Sequence, residues 1–167
     1  MIKNVFWASI FALAAAILQS TVLSKIALFH AVPDLALCIV VFCAYVNGSM
    51  SGQLSGFCSG LLIDFLSAAP LGLNAFVRTL TGALVGLFKG SLVLDFFILP
   101  IALCAGATLF KAIVVFLLSL LFSNAVRAYP IAAPTLWIEL GMNVVAAPLL
   151  FALLKKCKKL LTERGSF

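Results

Sequence analysis

The stretch that decides the fold is GQLSGFCSGLLID, residues 52–64, followed after the turn SAAPLG (67–72) by RTLTGALVGLFKG, residues 78–90. Each part carries glycine at every fourth position, a spacing that lets two membrane helices approach closely. Asp64 ends the first ladder and Arg78 begins the second. We therefore predict a tightly packed helical hairpin with an acid and a base facing each other near one membrane surface. The ladder residues are Gly52, Gly56, Gly60, Gly82, Gly86 and Gly90.

The composition around this hairpin is that of a membrane protein. Of the 167 residues, 65% are hydrophobic and only 10% are charged, and the mean hydropathy is +1.26. A soluble domain is far less apolar. The length suits one compact helical bundle, so we expect residues 1–167 to form a single transmembrane domain whose function lies within the bilayer or at its edges.

Apolar segments of membrane-spanning length divide the chain into six parts. A spanning helix needs about 20 apolar residues, whereas residues 35–63 contain no charge and would make too long a single helix. A turn at Asn47-Gly48-Ser49 resolves this excess. We predict an all-α, polytopic, six-helix transmembrane bundle with helices at about 5–23, 34–46, 50–66, 73–88, 96–122 and 134–154. A five-helix arrangement with a re-entrant second segment is the alternative.

The basic residues predict the orientation. Six crossings place both termini on one side, which then holds Lys3, Lys89, Arg164 and the four lysines of KKCKK (155–159). Only Lys25 and Arg127 lie on the other side. The positive-inside rule makes the basic side cytoplasmic, so we expect a multi-pass protein of the bacterial inner membrane with both ends in the cytoplasm. The basic tail flanks a membrane and lacks the interleaved aromatic residues of nucleic-acid sites, so no nucleic-acid partner is expected.

Four ionisable residues fall within the predicted spans. Charges at such positions cost about 2.5–3.5 kcal/mol each on insertion scales and therefore face the bundle interior in pairs. Similar depth predicts an Asp64–Arg78 pair. Glu139 is expected about one turn closer to the exterior than Lys111, an offset that a lysine side chain can bridge, so a Lys111–Glu139 pair is also predicted, with Asn143 completing it. Both pairs are interpreted as structural clips; a proton or solute path is the alternative.

No pattern in the chain indicates catalysis, a metal or a cofactor. The one histidine, His30, lies in a predicted loop, and the five cysteines form no Cys-x-x-Cys pair. We interpret the cysteines as small core residues. Ala8, Ala12 and Ala16 form a small-residue stripe that packs either within the chain or against a partner.

The region around the hairpin resembles the MreD family of rod shape-determining proteins. The resemblance rests on Pro33-Asp34-Leu35, on GLLIDFLS (60–67) after the first glycine ladder, and on PLGLNA (70–75). By this resemblance Pro33 and Asp34 correspond to the family's motif at the second helix, where Asp34 can cap the helix. Its central motif corresponds to Gly60, Asp64, Pro70, Leu71 and Gly72.

This resemblance implies a non-enzymatic scaffold in the complex that guides lateral peptidoglycan synthesis during cell elongation. The implied partners are an MreC-like bitopic protein, the MreB filament and the RodA/penicillin-binding synthase complex, directly or indirectly, within membrane lipids.

A second function class is kept open because the family is similar in size and hydropathy to the substrate-binding components of energy-coupling-factor vitamin transporters. A vitamin pocket needs aromatic and polar residues converging at the exterior end. The exterior set is sparse, which favours the scaffold: His30, Asn124, Arg127, Tyr129 and Trp137.

Overall fold

A computed structural model describes residues 2–21, 32–67, 69–90, 97–122, 125–126, 134–157 and 161. The described chain is all-helical. Its six helices are α1 Ile2–Thr21, α2 Leu35–Asn47, α3 Ser49–Leu66, α4 Leu73–Leu87, α5 Ile98–Leu121 and α6 Pro134–Lys156. Most of the predicted exterior loop residues, including His30, Asn124, Arg127 and Tyr129, lie outside the described residues.

The glycine ladders bring α3 and α4 into backbone contact. A Cβ atom added at Gly56 would overlap the carbonyl group of Arg78, and one added at Gly60 would overlap the backbone of Ala75. Gly52 and Gly82 face each other in the same way. The predicted hairpin is therefore present, and these glycines pack against backbone within the chain.

One glycine does not belong to the hairpin. Gly90 lies in a turn beyond the end of α4 with a φ of 71°, and an added Cβ would meet nothing within 4 Å. Its predicted place in the ladder is wrong. The cause is that α4 ends at Leu87, so the four-residue spacing continues past the helix. Gly86, one step earlier, does pack against the backbone of Ser49.

The turn between α2 and α3 is a single residue. Gly48 has a φ of 99°, in the left-handed region that only glycine adopts readily. The side chain of Lys89, in the turn that follows α4, supports this reversal, since its Nζ donates to the carbonyl oxygen of Asn47 at 3.1 Å. The chain thus reverses between two helices with almost no loop, as the Asn47-Gly48-Ser49 pattern predicted.

Helix α2 lies at the centre of the bundle. Ten of its 13 residues are buried, and it packs against each of the other five helices. Ala8 and Ala12 of α1 are fully buried in the core that surrounds it, so this part of the alanine stripe packs within the chain. Cys38, Cys43 and Cys104 are buried in the same core, as expected for small apolar residues.

Three helices are long and apolar enough to cross a membrane by themselves: Lys3–Thr21, Ile98–Leu121 and Pro134–Lys156. Helices α2 and α4 are apolar but shorter. Helix α3 has the length, but one of its faces is built from glycine and serine, which lowers its hydropathy. The six-span count and the orientation of the termini therefore stay predictions.

The close α3–α4 contact predicts a position-specific response to a single methyl group. Gly56→Ala should lower the melting temperature of the protein in detergent, because overpacking of this kind costs about 1–3 kcal/mol. Gly106→Ala on α5 is the matched control, since an added Cβ there meets nothing within 4 Å. Equal melting temperatures for the two variants would contradict the packing described for the hairpin.

Candidate functional site

The main polar feature of the interior is a cluster of charges centred on Asp34, the residue that precedes α2. Its Oδ1 atom accepts from the backbone N–H of Leu37 at 3.0 Å, which caps the helix as expected. The same carboxylate forms ion pairs with two cations from other helices: Arg78 Nη2 lies 2.7 Å from Oδ1, and Lys111 Nζ lies 2.8 Å from Oδ2. Asp34 is 5% exposed.

Lys111 and Glu139 extend the cluster from α5 to α6. The Nζ atom of Lys111 lies 2.7 Å from Glu139 Oε1, so the predicted pair is present. Lys111 donates to Asp34 at the same time, which joins the two acids through one ammonium group. The pair predicted as an independent clip is thus one arm of a larger network.

Asn143 connects the cluster to a second contact between α5 and α6. Its Oδ1 atom accepts from the backbone N–H of Asp34 at 2.7 Å, and its Nδ2 atom donates to Thr108 Oγ1 at 3.0 Å. Asn143 is fully buried. The sequence predicted its participation but placed it beside Glu139, whereas the structure uses it to hold the start of α2.

These contacts define the charge cluster as Asp34, Arg78, Lys111 and Glu139. It joins α2, α4, α5 and α6 and carries two negative and two positive groups, so its formal charge is zero. Removing one partner from a buried ion pair typically costs 3–5 kcal/mol, because the remaining charge is left uncompensated. We therefore expect the cluster to fix how the four helices fit together.

The predicted Asp64–Arg78 pair is wrong. Arg78 binds Asp34, whereas Asp64 accepts four hydrogen bonds at the start of α4: from the backbone N–H groups of Gly72, Asn74 and Ala75 and from Asn74 Nδ2, at 2.9–3.1 Å. The first N–H groups of a helix have no partner within the helix, and a carboxylate satisfies them well. Asp64 is thus the cap of α4, supplied from the end of α3.

This contact explains the sequence between α3 and α4. Gly72 has a φ of 91° and precedes the first residue of α4, and the carbonyl oxygen of Pro70 accepts from the N–H of Leu73 at 3.1 Å. The turn thereby points the N–H groups of Gly72, Asn74 and Ala75 at the Asp64 carboxylate. Pro70 is exposed, while Pro33 is buried directly before Asp34. The two motifs, Pro33-Asp34 and 64–72, each build a helix start.

The sequence predicts Asp34 only as the cap that opens the second helix, 34–46, and not as a partner of the charges within the spans. The available signal was the length of α2: its 13 residues extend only about 20 Å, against about 30 Å of hydrocarbon. A helix this short begins inside the thickness of the bundle. Its capping residue therefore reaches the depth of Lys111, near the middle of α5.

The arrangement of polar groups suits a structural role. In the part of the chain that is described, no group of three His, Cys, Asp or Glu side chains is placed to hold a metal ion. Each carboxylate of the charge cluster accepts from at least one cation. Of the exterior residues considered for a vitamin pocket, Trp137 is described, and it is 57% exposed.

Fold and interior together define a helical membrane protein whose helices are joined by a buried network of ion pairs. A family model described as rod shape-determining protein MreD matches residues 1–157. The chain belongs to the MreD family, and its role is in the determination of rod shape. No curated protein and no solved structure matches the chain significantly, so the similarity to vitamin-transporter components has no support from these comparisons.

The shared role of Lys111 predicts the outcome of a charge exchange. For an isolated pair, Lys111→Glu combined with Glu139→Lys would restore the parent's melting temperature. Here the exchange places a carboxylate beside Asp34, so the double variant should stay destabilised by about 2 kcal/mol or more. That corresponds to a melting temperature lower by roughly 4–8 °C.

Melting of the purified variants in detergent measures this difference. Lys156→Glu, at the exposed end of α6, controls for charge reversal alone and should behave like the parent. Recovery of the parent's melting temperature in the exchanged variant would show that Lys111 and Glu139 act as a separate pair.

Proposed function

We propose that this chain is a non-enzymatic membrane scaffold of the bacterial cell-elongation complex, which directs lateral peptidoglycan synthesis. The observation that carries the proposal is the family match over residues 1–157. That match covers α1 through α6, including both motif regions and every member of the charge cluster. The proposed location is the inner membrane, with both termini in the cytoplasm.

The interior supports a scaffold in preference to a transport path. The cluster has no formal charge, and Asp34 and Glu139 share the ammonium group of Lys111 at 2.8 and 2.7 Å. Such short, mutual pairing favours one fixed arrangement of helices over the repeated protonation that a relay requires. The glycine hairpin and the Asp64 cap also favour one fixed arrangement, because they hold α3 against α4.

The partner-binding surface proposed for this scaffold lies outside the glycine hairpin. The glycines of α3 and α4 are buried against backbone of the same chain, so a partner's helix has no access to them. Outward-facing apolar residues on α5 and α6 remain, among them Leu117 and Leu120 at 53% and 65% exposure and Val145 and Leu149 at 75% and 79%. These faces meet either lipid or a partner's transmembrane helix.

The proposed partners are an MreC-like bitopic protein and, directly or indirectly, the MreB filament and the RodA/penicillin-binding synthase complex. A rigid multi-helix subunit suits this role, since a single-span partner gains orientation by packing against a fixed surface. No step in this role requires a cofactor or a catalytic group from the chain. The proposed contribution is positioning alone.

Complementation combined with co-purification tests the proposal. The tagged chain is expressed with its MreC-like partner in a rod-shaped bacterium whose own MreD-family gene has been deleted. The parent and the control Gly106→Ala should restore rods and retain the partner. Asp34→Ala should lose both activities, because Arg78 and Lys111 are then left buried without their shared carboxylate.

Failure of the parent chain both to restore rods and to retain the partner would contradict the scaffold function. Co-purification of a vitamin in place of the MreC-like protein would favour the transport class. Full complementation by Asp34→Ala would leave the scaffold in place but remove the charge cluster from its explanation.

A further inference from the structure

Arg78 has hydrogen-bonding capacity that the charge cluster does not use. Its Nη2 atom donates to Asp34, but Nε and Nη1 have no hydrogen-bond partner among the described residues. The side chain is 6% exposed, so bulk water does not satisfy these donors. Buried donors left unpaired are costly, and more so on a charged group. An oxygen ligand that accepts from them removes that cost.

A groove lies beside this side chain, between the C-terminal ends of α1 and α3. It has a volume of about 300 Å³. Among the described residues that line it, Arg78 alone is charged. The rest of the lining is largely apolar. The lining includes Ala16, Ile17, Ile63, Leu66, Ser67 and Arg78.

The apolar wall continues out of the groove to the surface of the bundle. Ile17 and Leu66 line the groove and are also 49% and 62% exposed. In a membrane, such a surface faces acyl chains. The groove therefore joins a hydrocarbon environment at its mouth to a guanidinium group at its inner end.

We propose that this groove binds a membrane phospholipid, with the phosphate accepting from Arg78 and one acyl chain lying against Ile17, Ile63 and Leu66. Guanidinium donors match phosphate oxygens in geometry and charge. Nε and Nη1 are themselves buried, so binding includes a small rotation of the Arg78 side chain toward the groove. The Nη2 contact with Asp34 anchors the group during that movement.

The chemistry of the groove favours a lipid over a protein segment, since a largely apolar lining ends at one buried guanidinium group with unpaired donors. A single acyl chain with its phosphate complements these two properties with an apolar length and an anionic end. The inference concerns lipid binding and is independent of the proposed partners.

Lipid retention by the full chain provides the test. The protein is purified in detergent, stripped of lipid and incubated with phosphatidylethanolamine, phosphatidylglycerol or diacylglycerol of the same acyl composition, and bound lipid is counted by native mass spectrometry. Both phospholipids should be retained about tenfold better than diacylglycerol, as expected for a charge-assisted hydrogen bond. Inorganic phosphate at equal concentration should not displace them.

A groove-filling substitution locates the site without altering the cluster. Ala16→Phe should reduce phospholipid retention about tenfold to the level of diacylglycerol, whereas Ala14→Phe, on the exposed face of the same helix, should leave it unchanged. Ile63→Trp fills the groove from α3 and replaces the first variant if that one does not fold.

Three results would overturn the proposal. Equal retention of diacylglycerol would exclude phosphate recognition, and displacement by inorganic phosphate would indicate a phosphate site rather than a lipid site. Retention that is lost in Lys156→Gln but kept in Ala16→Phe would assign the lipid to the basic end of α6.

Discussion

The buried position of Asp34 is the constraint on which the rest of the structure depends. A carboxylate at the start of a 13-residue helix lies inside the bundle, where it must be compensated. Arg78, Lys111 and the amide of Leu37 share this task. Because these groups come from α2, α4 and α5, and Glu139 adds α6, compensating one acid fixes the relative positions of four helices.

The remaining two helices are held by different means. Helix α3 depends on steric fit, since its glycines admit the backbone of α4 and its last turn supplies the Asp64 cap. Helix α1 contributes Ala8 and Ala12 to the core around α2. The bundle therefore combines ion pairs among α2, α4, α5 and α6 with close backbone packing between α3 and α4. Neither mechanism draws on the hydrophobic effect, which gives helices little reason to associate in lipid.

The periodicity and spacing of residues in the sequence predict the helices and several of the contacts between them. Apolar lengths and turn residues predict six helices, and four-residue glycine spacing predicts the α3–α4 contact. The Lys111–Glu139 pair also follows, because the lysine side chain spans the offset of about one turn expected between neighbouring helices. Such features are local or involve helices adjacent in sequence, so the pattern of residues contains the information needed.

The partner of Arg78 was predicted wrongly for a physical reason. Two acids, Asp34 and Asp64, stand at helix ends, and similar predicted depth across the hairpin favoured Asp64 as the partner of Arg78. Which acid pairs with Arg78 depends on which carboxylate already accepts hydrogen bonds from other groups. Asp64 receives three backbone amides from the 72–75 turn, whereas Asp34 faces two cations across the bundle. That distinction appears only once α2 is placed at the centre.

The regions that resemble the family are also the regions that hold the helices together. Both regions that resemble the family, Pro33-Asp34 and 60–75, form helix starts on which the central packing depends. A shape-determining membrane protein built in this way has its helices held in one arrangement by contacts within the chain. The chemistry lies in holding helices together, and the charge cluster explains why polar residues are present in so apolar a chain.

A double-mutant cycle on melting in detergent tests the assignment of Arg78 most directly. Arg78→Gln is combined with Asp34→Asn in one cycle and with Asp64→Asn in another. The structure predicts a coupling energy of about 0.5–3 kcal/mol for Asp34, the range typical of residues in one ion-pair network, and a clearly smaller one for Asp64. Strong coupling of Arg78 to Asp64, with none to Asp34, would contradict the central role of Asp34.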